Sequence, residues 1–282
     1  MPEGDTVWLA GRRLDAAMSG QRLTTTDFRV PAHATVDLVG RTVVSVTSVG
    51  KHLLTRIEGD VTLHTHFRMD GAWHLYRPGA PWRGGPAWQV RVVLSNDRWT
   101  AVGYRLPVVE ILPTPLEQRV IGHLGPDLLS PAVDLQLAVR NLERTPDRGI
   151  GEALLDQRNL AGIGTLYRAE TLFLEGVNPT LRVRDVPDLP RLVERACRLL
   201  RANASIARQI TTGDSRRGHE HWVFERAGRP CRRCGTPIAS AMLGQPPFAR
   251  VAYWCPGCQP GAAAPTSGRP ASAARSASTD VD

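Results

Sequence analysis

Four of the five cysteines stand as Cys231-x2-Cys234 and Cys255-x2-Cys258, with 20 residues between the pairs. Two such turns in one short unit offer four thiolates to a tetrahedral ion, the arrangement zinc prefers. Four protein ligands close the shell, so the predicted single Zn2+ is structural and binds no reactant. A redox dithiol pair is the competing chemistry, but Gly235 and Gly257 beside the knuckles favour a metal. Cys197 lies in the helix-like run RLVERACRLLR and reads as a small buried apolar residue.

The chain opens Met-Pro-Glu. Removal of the initiator methionine before a small residue would leave Pro2 as a terminal secondary amine. Its pKa should lie near that of an α-amino group, about 8, so a useful fraction is neutral at pH 7. Such an amine attacks an aldehyde carbon to give an iminium that is cationic without further protonation. That cation withdraws electrons and acidifies the neighbouring carbon, which is covalent amine catalysis. Glu3 alongside is placed to shuttle a proton. Taken alone, the same three residues fit an ordinary N-terminus. Lys51 is the only lysine among 35 Lys+Arg residues. A GC-rich genome explains the arginines, but arginine does not supply an amine of adjustable pKa.

A third signal spans residues 154–179, LLDQRNLAGIGTLYRAETLFLEGVNP. A helix runs into the turn Ala161-Gly162-Ile163-Gly164, and a second helix starts at once. Bare backbone N–H groups at that start attract an anion, and a phosphate would fit. An ordinary tight helix–helix turn fits the same residues.

Elements must hold these groups together. Residues 6–18 read as a helix with Val7, Ala10, Leu14 and Met18 on one face, capped by Asp5 or Thr6 and ended near Gly20. From residue 23 to 112 the pattern is short β-branched and aromatic stretches: RTVVSVTSV, HLLTRIE, VTLHTHF, AWHLY, WQVRVVLS, RWTAVGY and PVVEIL. Turn residues separate them, which predicts a two-layer antiparallel sandwich. A Pro/Gly-rich connection follows, then helices near 133–142, 151–157, 165–174 and 189–208. The last 22 residues, from 261 to 282, are small, polar and Pro-containing, so they are predicted to be disordered.

The formal charge of +8 and the arginines around the cysteines (Arg226, Arg229, Arg232, Arg233 and Arg250) suit a polyanionic partner. For most of these arginines a solvated surface charge is the simpler reading. No apolar run approaches the roughly 20 residues needed to span a membrane, and the acidic start MPEGDTVW is unlike a secretory signal. A cytoplasmic, nucleoid-associated protein with no membrane partner is therefore expected.

Taken in order, the motifs resemble the formamidopyrimidine-DNA glycosylase / endonuclease VIII family. They are Pro2-Glu3-Gly4, Gly50-Lys51-His52-Leu53-Leu54, His66-Phe67-Arg68-Met69-Asp70-Gly71, Leu124-Gly125-Pro126-Asp127, and Leu155-Asp156-Gln157 with Ala161-Gly162-Ile163-Gly164, followed by the cysteines. The resemblance covers residue 2 to about 259. It implies an α+β multidomain fold: an N-terminal β-sandwich (1–115), a linker (116–132), a helix–two-turns–helix domain (133–225), a zinc-finger β-hairpin (226–260) and the tail. It implies a monomer that binds damaged DNA in the cleft between domains and is a bifunctional DNA glycosylase and AP lyase. In that role Pro2 is the Schiff-base nucleophile and Glu3 the acid/base. Lys51 contacts phosphate and acts in β-elimination, while Arg250 grips phosphate and assists δ-elimination. Met69 is the wedge that fills the gap left by the flipped nucleotide, with Arg68 beside it for the widowed base. Gly164 and Thr165 form the phosphate-binding helix start.

The short stretch from Thr211-Thr212-Gly213-Asp214 to Trp222-Val223-Phe224, with the MPEG start, points to the endonuclease VIII-like branch and oxidised pyrimidines. The HFRMDG wedge is closer to the branch acting on 8-oxoguanine and formamidopyrimidines. Two positions depart from the family pattern. Thr6 replaces a glutamate, for which Asp5 is a possible substitute, and Thr165 replaces a phosphate-binding asparagine. A catalytically silent lesion-binding protein is the rival these departures raise. A zinc-ribbon interaction module is a further one, but it leaves Pro2 and Lys51 unexplained.

Overall fold

The computed structural model describes residues 2–261, so the predicted disorder of the C-terminal tail lies almost wholly outside the described residues. The alternating stretches all form strands. One antiparallel sheet has the order β2 (Val43–Val49), β3 (His52–Ile57), β4 (Val61–His66), β8 (Val108–Pro113). The other has β1 (Thr25–Phe28), β6 (Val90–Ser95), β7 (Thr100–Tyr104), β5 (Ala72–Tyr76). Inward side chains from both sheets, among them Val46, Leu53, Leu63, Val92, Leu94 and Ala101, make one apolar core. Burial on this scale, about 25 cal/mol per Å² of apolar surface, holds the two layers face to face.

Helix α1 (Gly4–Met18) lays Val7, Leu14, Ala17 and Met18 on that core. It starts two residues earlier than its apolar pattern suggests. The N-cap is Glu3, with no side-chain cap, and neither Asp5 nor Thr6 caps it. The reason is that the Glu3 and Asp5 carboxylates are both engaged by a distant part of the chain. Asp15, also on α1, accepts the Val46 N–H of β2 at 2.8 Å, fixing the helix to the sheet.

A second core gathers α3 (Leu135–Glu143), α4 (Ile150–Ala153), α5 (Thr165–Leu174) and α6 (Leu189–Asn203), with the short α2 (Gln118–Ile121) in the connection before them. Asp134 and Asp188 cap α3 and α6 through their side chains. Helix α4 is shorter than the predicted 151–157, because Asp156 and Asn159 bond locally to backbone and arginine instead. Helix α6 stops at Asn203 rather than 208, where the Asn203 side chain takes the Ile210 N–H at 2.6 Å and turns the chain. The hairpin β9 (Ala239–Leu243) and β10 (Arg250–Trp254) follows, and Cys231, Ile238 and Cys255 pack into the helical core. Cys197 is buried, as expected of a small apolar residue. Among the described residues no helix is long and apolar enough to cross a membrane.

Candidate active site

Three backbone junctions join the sandwich to the helices. The Gly4 N–H donates to Gly162 O at 2.8 Å, an approach so close that a Cβ on Gly4 would lie 2.8 Å from Gly162 Cα. The Glu3 carboxylate accepts the N–H groups of Gly164 at 2.5 Å and Leu166 at 2.8 Å. Asp127 accepts the Gly50 N–H at 3.0 Å and so fixes the β2–β3 turn that presents Lys51. Gly50 sits there at φ 58°, a conformation that favours glycine. The glycine turn is stapled by Gln157, whose Oε1 accepts Gly162 N–H at 3.0 Å and whose Nε2 donates to Ile163 O at 2.9 Å.

The Gly164 and Leu166 amides at the start of α5 therefore do hold an anion, the chain's own carboxylate, while Thr165 between them lines the cleft. Glu3 is fully buried there, its charge answered by two amides and the helix dipole. Burial still raises its pKa, with Lys51 opposing. Burial likewise lowers the pKa of Lys51, opposed by Glu3 and Asp5. Half-buried Pro2 is carried by the adjoining residues to the same junction. Asp5 accepts from Tyr167 Oη at 2.8 Å and from Gln209 at 3.0 Å, so it is tied to the helical unit rather than held free as a stand-in for the missing glutamate. Thr6 is half-buried, its hydroxyl 3.4 Å from Asp5.

A cleft of about 540 Å³ opens above this junction. Lys51 lines it from the sandwich, Gly164 and Thr165 from α5, and Arg250 from the hairpin. Three segments distant in sequence thus meet around one space, whose lining mixes the cations Lys51, Arg148, Arg158 and Arg250 with Glu152, Asp156 and apolar groups. The turn after β4 starts from its rim at His66 and runs on to Arg68 and Met69. Arg68 adopts φ 47°, and Gly71 N–H closes the turn on Phe67 O at 2.9 Å. Met69 stands out from it with 66% of its surface exposed, while Arg105 holds the base of the turn through Asp70 O at 3.0 Å.

The four cysteine sulfurs all lie within 4.8 Å of one another. Zn–S bonds of about 2.3 Å in a tetrahedron set an S···S edge near 3.8 Å. The observed 3.9 Å (Cys231–Cys258) and 3.4 Å (Cys234–Cys255) bracket that value and are too long for disulfides. The residues can hold a metal ion, and its place is at the root of the hairpin that carries Arg250.

Several important residues had no role assigned in the sequence reading. Arg229, Arg233 and Arg250 are exposed, as read from the sequence, but Arg226 donates to Trp222 O and Pro230 O, Arg232 to His221 O and Gly218 O, and Arg233 stacks on Phe173 at 4.6 Å. The Arg226 and Arg232 donors face carbonyls because the hairpin must be tied to the helical core. Arg168, 1% exposed on α5, donates to Val251 O and fixes β10. Glu170 accepts the N–H groups of Trp222, Val223 and Phe224 and the Thr211 hydroxyl. His52, His64, His66 and His123 cluster behind Lys51, with His52 Nδ1 2.8 Å from His64 Nε2 and His64 Nδ1 2.8 Å from Glu110. Burial and neighbouring positive groups push His52 down to about 3 and His66 to about 4. The alternation His64-Thr65-His66 in β4 was the signal available for that cluster.

Comparison with known proteins agrees with this arrangement. Residues 1–105 match the model of the formamidopyrimidine-DNA glycosylase N-terminal domain, and residues 124–213 that of its H2TH domain. The chain is 55% identical to a probable endonuclease 8 2 of Streptomyces coelicolor, over 95% of this chain and 98% of that protein. It is 44% identical to the DNA-(apurinic or apyrimidinic site) lyase Nei2 of Mycolicibacterium smegmatis, over 92% and 99%. Against endonuclease 8 of Escherichia coli the identity is 32%, over 92% and 100%. Its fold is similar to that of Lactococcus lactis Fpg solved with DNA containing an abasic site, with a TM-score of 0.77 at 21% identity, covering 92% of this chain and 99% of that one.

Proposed function

The chain belongs to the formamidopyrimidine-DNA glycosylase family and is a DNA glycosylase with AP lyase activity, and we propose that it acts through the secondary amine of Pro2, freed by loss of Met1. The observation that carries this reading is the buried contact of Glu3 and Gly4 with Gly162, Gly164 and Leu166, beside Lys51. That contact lies against Gly164 and Lys51, which line the cleft that a DNA strand would occupy.

The Pro2 nitrogen attacks C1′ of the damaged nucleotide. The bond from C1′ to the base breaks, and the base leaves with its electron pair and takes up the proton that the Pro2 nitrogen gives up. Glu3, whose pKa burial raises, passes a proton to the ring oxygen as the sugar opens to the iminium. Loss of a C2′ proton then expels the 3′ phosphate, a second elimination expels the 5′ phosphate, and water releases Pro2. The Lys51 ammonium and the Arg250 guanidinium neutralise phosphates flanking the lesion, and Thr165, which lines the same cleft beside the amides that Glu3 occupies, meets one of them. Met69 enters the stack where the nucleotide has left, and Arg68 meets the widowed base. Cys231, Cys234, Cys255 and Cys258 would hold one Zn2+, which would supply only the rigidity that keeps Arg250 in place.

Oxidised pyrimidines are the proposed substrates. In support, the stretch before Trp222 is short and folds on itself, Thr212 Oγ1 donating to His219 O at 2.7 Å, which leaves little chain to cover a large purine. The protein works as a cytoplasmic monomer on damaged DNA. The test uses methionine-processed protein and duplexes bearing an abasic site, thymine glycol or 8-oxoguanine, with borohydride present and a Pro2→Gly variant in parallel. A trapped adduct lost in the variant, with thymine glycol preferred over 8-oxoguanine, is expected. Lesion-dependent binding with no adduct on any duplex would identify a silent lesion-binder instead.

A further inference from the structure

Phe248 is 79% exposed, more than any other large hydrophobic residue among those described. It sits in residues 244–249, between the paired strand ends Leu243 and Arg250. That connection exceeds the two-residue turn that closes a hairpin most simply. Its backbone is held in place: the Phe248 N–H donates to Gln245 O at 2.8 Å, and Arg250 Nη1 donates to Pro247 O at 3.2 Å and Ala249 O at 2.8 Å. The guanidinium assigned to phosphate thus braces the peptide on both sides of the ring. Phe248 lines the same cleft as Lys51, Thr165 and Arg250, and among the described residues no aromatic ring packs on it.

A bare phenyl ring beside the Lys51 and Arg250 side chains suits an occupant that is both anionic and flat-faced. A nucleic acid strand is anionic along its backbone and flat at each unstacked base, and base–aromatic stacking tolerates any base. A flipped base is the one such face that the reaction itself creates within the cleft. We propose that Phe248 is the stacking surface for the everted base, making the loop 244–249 a substrate-positioning element. The proposal rests on the glycosylase reading above.

Stacking on the base has a consequence that a backbone contact lacks: an abasic site offers no base, so Phe248 is silent there. The experiment compares single-turnover release of 5-hydroxyuracil from duplex DNA with strand cutting at a preformed abasic site, for wild type, Phe248→Ala and Phe248→Tyr. Phe248→Ala should slow base release about ten-fold or more, leave abasic cutting within about two-fold, and Phe248→Tyr should restore base release. Equal losses on both substrates, or no loss on either, would overturn the proposal alone. A wild type inert on both would overturn the glycosylase reading, and this proposal with it.

Discussion

Gly164→Ala separates steric placement of the N-terminus from everything else in the site. Gly164 has φ −128°, which alanine adopts without strain, so the effect comes from the added methyl group. That carbon would lie 2.5 Å from Glu3 Cδ and 2.6 Å from Oε1, where ordinary contact begins at 3.4 Å. Glu3 must recede by about 1 Å, which breaks its bonds to the Gly164 and Leu166 amides. Two hydrogen bonds to a charged group, at about 1.5–3 kcal/mol each, amount to about 3–6 kcal/mol before relaxation. For a protein of this size about 3 kcal/mol lowers Tm by about 6–12 °C. Pro2 moves with Glu3, and a 1 Å misplacement of a reacting group costs about 100-fold in rate. The assay pairs thermal unfolding with single-turnover cutting of an abasic duplex. Gly149→Ala is the control, because the nearest atom to its added carbon is 3.7 Å away. Wild-type cutting by Gly164→Ala would refute the claim that Glu3 on α5 positions the amine.

The Lys51 ammonium, with its pKa lowered by burial, is charged below that value and neutral above it. Affinity for a non-cleavable abasic duplex at fixed salt should therefore fall with rising pH already below the free-lysine value of about 10.4, and Lys51→Arg should remove that fall, because guanidinium stays charged; equal pH slopes would contradict this. His52 and His66 are neutral when folded, with values near 3 and 4 against 6.5 for the free side chain. The unfolded chain takes up their protons first, so stability is whole above about pH 6.5 and should drop by about 2 kcal/mol per unit as pH falls toward 4, about half from each histidine. His52→Gln should flatten this in denaturant titrations, and an unchanged acid-side loss would count against it. Chelation, or Cys231→Ser, should release the hairpin and abolish cleavage, with Zn2+ restoring the chelated wild type. Full activity of metal-free Cys231→Ser would contradict a structural metal site.

The strands and the cysteine cluster were legible because their determinants are local: period-2 alternation in β2 to β8, and Cys-x2-Cys turns. Lys51 stood out by its type alone. The partners of these groups were not legible, since a sequence does not show which distant backbone a side chain meets. Glu3 satisfies amides 161 and 163 positions away, which is why the true start of α1 escaped the capping rule. Arg168 and Glu170 drew no reading, and Arg226 and Arg232 were grouped with surface charges, yet these four hold the finger to the helices through carbonyls and amides. Phe248 escaped because an exposed aromatic in a loop has no periodicity to reveal it.

The most direct test of the account is where the sugar is attached. After borohydride trapping on abasic DNA, nuclease trimming and tryptic digestion, mass spectrometry should find the reduced sugar adduct on the peptide from Pro2 to Arg12, with cleavage after Lys51 unaffected. An adduct on Lys51 itself, blocking tryptic cleavage there while the Pro2 peptide stays unmodified, would contradict the proline mechanism.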